Sequence, residues 1–259
     1  MHENRITFHQ ELEEIRADVV RLAALVCEFI PRATEVLLNT DMAAAQQLIE
    51  DDDELDALSL HIEEQACRVM ALQQPMARDL RELLTALRLS SEIERSGDLM
   101  VNVAKAARRL YGTDLDPKLR GFIERMSEEA TRLYRFAIDS YAEGNAGLAA
   151  ALDDMDDRLD ELHNDYIEAI FETHHAGNLH LEAGVQLALV GRYYERVGDH
   201  AVNVAERVHY MVNGWLPEHT GAARVAERAR HAADPDDPTY RESQPRLRVA
   251  DRPDIDGGG

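Results

Sequence analysis

Two acidic pairs with i, i+4 spacing each occur twice in this chain. Glu94 and Asp98 recur as Glu195 and Asp199, and Asp52 and Asp56 recur as Asp156 and Asp160. Carboxylates four residues apart share one face of an α-helix. If each Asp-x-x-x-Asp helix lies antiparallel beside its Glu-x-x-x-Asp helix, four carboxylates converge on one patch. Hard oxygen donors of this kind suit Mg, Ca, Mn or Fe better than Cu or a thiolate-type Zn site. Spacing alone proves little: with 50 acids in 259 residues, chance placement gives about nine such pairs. Recurrence at matched positions is what separates these pairs from an ordinary solvated face.

The recurrence extends around the acids. Residues 94–105 and 195–206 agree at eight of twelve positions, 101 residues apart, which marks an internal repeat. Upstream, the Asp52–Asp56 stretch matches Asp156–Asp160 at an offset of 104, so a three-residue difference is expected in the turn near Pro75. Glu94, Asp98 and Asn102 share a helical face, as do Glu195, Asp199 and Asn203. Like charges at i, i+4 repel, and a mid-helix Gly costs roughly 1 kcal/mol relative to Ala. Both defects stand in both copies. Their compensation would be a cation on the carboxylate face and a close backbone approach at Gly97 and Gly198.

The elements that must position these residues read as long helices. Phe8, Leu12, Ile15, Val19, Leu22, Val26 and Phe29 form one apolar stripe, which Pro31 should kink. After a break at Thr40-Asp41, a second helix runs from about Met42 to Leu72, with Leu48, Leu55, Ile62 and Val69 seven apart. Gln73-Gln74-Pro75 predicts a tight turn, and a third helix covers about Met76 to Leu110. Gly112 and Pro117 bracket a linker. The pattern then restarts: helix four from about Pro117 to Glu143, a break at Gly144-Asn145, helix five to about His174 and helix six from about Leu179 to Val212. The fold class is therefore all-α, two tandem three-helix bundles of six long helices. The expected divisions are 1–113, 114–217 and a polar tail, 218–259, read as disordered.

Composition excludes several functions. The formal net charge of -22 repels nucleic acid and anionic lipid. No apolar run of about 18 residues predicts a membrane span, and the N-terminus is not patterned as a signal peptide. The chain lacks a phosphate-binding Gly-x-x-x-x-Gly-Lys-Ser/Thr loop. Its two cysteines, Cys27 and Cys67, read as core thiols of a cytosolic protein.

The stretch Glu195-Arg196-Val197-Gly198-Asp199-His200-Ala201-Val202-Asn203, its weaker twin at Glu94, the paired acidic motifs and the turn Gln74-Pro75-Met76-Ala77-Arg78-Asp79-Leu80 together resemble the PhoU family. The resemblance covers about residues 5–213. It implies two three-helix bundles related by approximate twofold symmetry, with multinuclear metal clusters, often iron, on the carboxylate motifs; Mn, Mg, Ca or Zn stay open. The metal ligands it implies are Asp52, Asp56, Glu94 and Asp98, then Asp156, Asp160, Glu195 and Asp199. Asn102 and Asn203 would be neutral ligands or hydrogen-bond partners of the ligands. It further implies a non-enzymatic negative regulator of phosphate uptake and phosphate-starvation signalling. Such a regulator links a phosphate ABC transporter ATPase to a sensor histidine kinase, in the cytoplasm and as a homodimer, with no nucleic acid and no insertion into the membrane. The first copy has Ser96 for Val197 and Leu99 for His200, so a His ligand in the second cluster would have no counterpart.

Two other readings compete. A di-iron redox bundle uses Glu-x-x-His motifs, and Glu172 with His175 and Glu206 with His209 match that spacing, although Lys105 and Arg108 replace the latter pair in the first half. A metal-free helical adaptor is the other. His174, His175 and His180 read as a polar turn, and Arg95 and Arg196 as neutralisers of neighbouring acids.

Overall fold

The computed structural model describes residues 2–214, and every element in that range is helical. The helices are α1 (His2–Asn39), α2 (Met42–Gln73), α3 (Arg78–Arg109), α4 (Pro117–Glu143), α5 (Ala146–Ala150), α6 (Leu152–His175) and α7 (Leu181–Asn213). The tail expected to be disordered lies outside the described residues.

The breaks form where backbone chemistry demands them. Asp41 caps α2 by accepting from the amides of Ala43 and Ala44, both at 3.0 Å. Asn145 caps α5 in the same way, accepting from Gly147 and Leu148 at 3.1 Å. The preceding residues, Thr40 and Gly144, both take positive φ. Pro117 opens α4 behind the cap of Asp116, which accepts from the Lys118 amide at 2.7 Å. Pro31 lies inside α1 without ending it. It removes one helical hydrogen bond, but its neighbours Phe29, Ile30 and Ala33 are buried and hold the helix in the core.

Three details differ from the sequence reading. The predicted fifth helix is divided: the amide of Ala151 turns back to Leu148 at 3.2 Å, and α6 starts at Leu152. The three-residue difference between the halves is not in the turn near Pro75. Instead, α2 and α3 each run two residues further towards their turn than α6 and α7 do, and the turn is one residue shorter. Ala77, at φ 51 and ψ -110, is what delays α3 to Arg78. Cys67 is exposed rather than in the core, because the buried face of α2 runs through Leu55, Ile62, Ala66 and Val69, and Cys67 lies one residue past it.

The packing follows the duplication. In the first half α1, α2 and α3 contact one another, and in the second α4, α6 and α7 do; α1 meets α4, and α3 meets α7. A single apolar core runs through both halves. Reciprocal caps express the twofold relation. Arg16 on α1 donates to the Ala142 carbonyl at the end of α4, at 2.7 Å. Its repeat equivalent, Arg120, donates to Leu38 at the end of α1, also at 2.7 Å. These bonds satisfy helix-end carbonyls that would otherwise face only water.

The α3–α7 interface buries a hydroxyl–imidazole pair. His200 is 3% exposed, and its Nδ1 lies 2.9 Å from the Ser96 hydroxyl. The twofold relation maps this pair onto Val197 and Leu99, both buried. The two departures of the first repeat from the second are thus one compensated exchange, a hydroxyl–imidazole contact on one side and two buried aliphatic side chains on the other. Ser96→Val should cost about 1–3 kcal/mol, because it leaves a buried imidazole nitrogen without its partner. Ser96→Val with His200→Leu, which copies the aliphatic pair, should recover most of that loss in denaturant unfolding.

Candidate functional site

Gly97 and Gly198 build the two acidic sites. A Cβ at Gly97 would stand 2.8 Å from Leu55 and 3.5 Å from Asp52 Oδ1. A Cβ at Gly198 would stand 2.7 Å from both Leu159 and Asp156 Oδ1. These are matched residues of the two repeats, so the offsets of 101 and 104 meet in space. The bare backbone lets α2 close on α3 and α6 close on α7, which accounts for a glycine in the middle of each helix.

Closure brings the first-half acids within electrostatic range of one another. Burial first, and then Asp56, Asp98 and Glu94, push the Asp52 carboxyl up to about 6, against the pull of Lys105. Burial and the Asp98 carboxylate likewise raise Asp56 and Glu94. Asp52 Oδ1 is buried and has no hydrogen-bond partner. Mutual repulsion and lost hydration both disfavour the charged forms.

The second half meets the same problem with a different cation. Arg192 pairs with Glu195 and lies 3.8 Å from Asp199. Asp160 is exposed and acts on His163, whose pKa is lowered by burial first and then by Arg192, with Asp160 opposing. The repeat equivalent of Arg192 is Ser91, and that of Lys105 is Glu206. Each cluster therefore has a cation that its twin lacks. Arg192, three residues before Glu195, was open to discovery by spacing; its absence from the first half hid it from a search for repeated residues.

The remaining sequence candidates sit beside the acids or away from them. Asn203 donates to Glu92 Oε2 at 3.4 Å across the α3–α7 interface, and Asn102 holds the equivalent half-buried position on α3. His200 also faces Glu92, at 3.9 Å, and not the acids of α6. It therefore does not give the second cluster an extra ligand in this arrangement. Glu92, which also pairs with Arg95 at 3.3 Å, escaped the sequence reading because its repeat equivalent is Tyr193. The Glu-x-x-His motifs do not form a di-iron centre. Glu172 pairs with Lys118 at 2.6 Å, His175 Nδ1 meets the Phe171 carbonyl at 2.7 Å, and His209 Nε2 meets Asn213 at 3.1 Å. His174 Nδ1 meets the Leu179 carbonyl at 2.8 Å and so fixes the turn into α7.

Among the described residues, no group of three His, Cys, Asp or Glu side chains stands ready to hold a metal ion. The donor chemistry nevertheless fits a hard cation: carboxylates from two helices, a buried carboxylate oxygen with no hydrogen-bond partner, and glycine backbone beneath it.

Acid-bearing helix pairs repeated in two fused bundles define a class of duplicated, all-α proteins. The PhoU domain matches residues 19–107 and 123–208, and the chain belongs to the PhoU family. It is 35% identical over 214 residues to a phosphate-specific transport system accessory protein, PhoU homolog 1, of Mycobacterium tuberculosis, covering 82% of this chain and 96% of that one. It is 29% identical over 211 residues to a homolog from Rhizobium meliloti, covering 82% and 89%. The crystal structure of PhoU from Pseudomonas aeruginosa superposes with a TM-score of 0.75 at 27% identity, over 80% of this chain and all of that one.

The electrostatics make a signed prediction. Asp52 is held above the ordinary carboxylate range in the fold, so the folded state binds more protons than the unfolded state between about pH 4 and 6. Its contribution to stability is present below that window and lost as pH rises through it. Without added metal, Asp52→Asn should raise Tm at pH 7.5 and have little effect at pH 4, as read by thermal unfolding in a chelating buffer.

Proposed function

We propose that this chain is a regulatory accessory protein of a phosphate-specific transport system. It acts in the cytoplasm, restrains phosphate import and damps phosphate-starvation signalling when phosphate is plentiful. The observation that carries the reading is family membership over nearly the whole length of a relative with that name, with both halves of the duplicated acidic motif present. The family is regulatory and non-enzymatic. No described helix is long and apolar enough to cross a membrane. In this reading, contact with the transporter is made through protein surfaces, and the partners are the transporter ATPase and a sensor histidine kinase.

The metal belongs to the same proposal. Asp52, Asp56, Glu94 and Asp98 would hold one cluster, and Asp156, Asp160, Glu195 and Asp199 the other, with iron or another hard divalent ion. In the first half a bound cation would neutralise the charges that raise the pKa values of Asp52, Asp56 and Glu94. In the second half it would displace Arg192 from Glu195 and Asp199. Support comes from the first-half shifts, the buried Asp52 oxygen and the glycine closures.

Deleting the gene, together with any second family member, should leave a starvation reporter on and phosphate uptake high in phosphate-rich medium. The wild-type gene should restore repression, and Glu195→Ala with Asp199→Ala should restore it only in part. Normal repression in the deletion strain would overturn the regulator reading. Full complementation by the double variant would remove the metal from the switch.

A further inference from the structure

Leu181, Val185 and Leu189 follow one another at i, i+4 and i+8 on α7, exposed by 66, 51 and 40%. Phe171 on α6 and Tyr111 at the end of α3 are exposed by 60 and 71%. Two contacts set all five at one level. Arg109 bonds to Gln186 at 3.2 Å, which brings the end of α3 beside this stretch. Gly184 lies against Ile170, 3.5 Å from an added Cβ, so Phe171 stands level with Val185. Single exposed apolar residues are ordinary, whereas a contiguous row marks a surface that another molecule covers.

The fold does not require this row. Under the duplication Phe171 corresponds to Cys67 and Leu189 to exposed Arg88, while Leu181 and Val185 correspond to half-buried Leu80 and Leu84. The first half exposes a different set at the equivalent end, Leu72 at 70% and Met76 at 80%, around its turn and not along α3. At about 100° per residue, Leu181 and Val185 share the solvent face of α7 with Glu195 and Asp199. Beyond the apolar row the same face carries Arg192 paired with Glu195 and Asp199, over about 27 Å from Leu181 to Asp199. The flanking helix α6 carries nine acidic residues and one arginine. A second copy of this chain, with net charge -22, would bring like charge to like.

We propose that the groove between the N-terminal half of α7 and the C-terminal half of α6 docks a basic amphipathic helix of a partner protein. The aliphatic residues of that helix would cover Val185 and Phe171, and its basic residues would face the acidic surface of α6. The inference goes beyond the regulatory reading, which names partners but no surface. It can be tested without a transporter or a kinase, so its failure and the failure of that reading are separable.

The probe is a fluorescent helical peptide of about 18 residues, the length of the groove, built from Leu and Lys with the leucines on one face. Its controls are a scrambled Leu/Lys peptide and a patterned Leu/Glu peptide. Anisotropy titration against the full chain should show binding of the patterned basic peptide and far weaker binding of both controls. Phe171→Ser with Val185→Ser, and separately Leu181→Ser, should each weaken binding by about tenfold while circular dichroism and Tm stay unchanged. Leu60→Ser, at an exposed position on α2, should bind as wild type. Equal binding by all variants would reduce the effect to bulk charge attraction and overturn the proposal. So would sedimentation showing a wild-type dimer that the Phe171/Val185 variant dissociates, because a second copy would then own the face.

Discussion

Repulsion among carboxylates on closely packed helices is the constraint around which this molecule is arranged. Gly97 and Gly198 let α2 approach α3 and α6 approach α7 until an aspartate from one helix lies against the backbone of the other. The same closure that buries Leu55 and Leu159 draws the acidic faces together and strips water from Asp52. Apolar burial and charge repulsion are thus two results of one contact. The leucines favour closure at roughly 25 cal/mol per Å² of apolar surface removed from water. The carboxylates oppose it until a cation or protons neutralise them.

The two halves answer this constraint with different residues. Lys105 serves the first cluster and Arg192 the second, and neither has a basic equivalent in the other half. The inter-repeat interface shows the same divergence under a fixed architecture. Ser96 with His200 occupies one side of the pseudo-twofold, and Leu99 with Val197 occupies the other. Because α3 and α7 supply both this interface and the acids, a change in charge at either cluster lies one helix away from the contact that joins the repeats. Glu92 sits at that junction, with His200 at 3.9 Å and Asn203 at 3.4 Å.

Periodicity and punctuation made the helices legible. Every residue of the first apolar stripe, from Phe8 to Phe29, is buried. The breaks at Asp41, Pro117 and Asn145 follow directly from capping chemistry. The approach at Gly97 and Gly198 was legible too, because a glycine in mid-helix needs a reason and the repeat supplied it twice. What escaped was whatever one half does alone. Arg192 and Glu92 have no matching twin, so comparing the halves could not reveal them, and Leu181 and Val185 differ from their apolar twins Leu80 and Leu84 only in exposure. Cys67 was misplaced because composition says nothing about which side of a helix a residue occupies. The division at Ala151 escaped because alanine, the best helix former, gives no local sign of a stop.

The central claim is that a hard divalent cation relieves repulsion at both clusters, and linkage between metal and stability tests it most directly. Protein stripped with chelator and dialysed at pH 7.5 would be unfolded thermally with and without Mn(II) at about one hundred times its dissociation constant. Two sites formed only in the fold should then contribute about 2.7 kcal/mol each, together roughly 10–20 °C in Tm for a chain of this size. The gain should disappear when Glu94 and Glu195 are both changed to Gln. A wild-type Tm that ignores the metal, or a gain that survives in the double variant, would contradict the account.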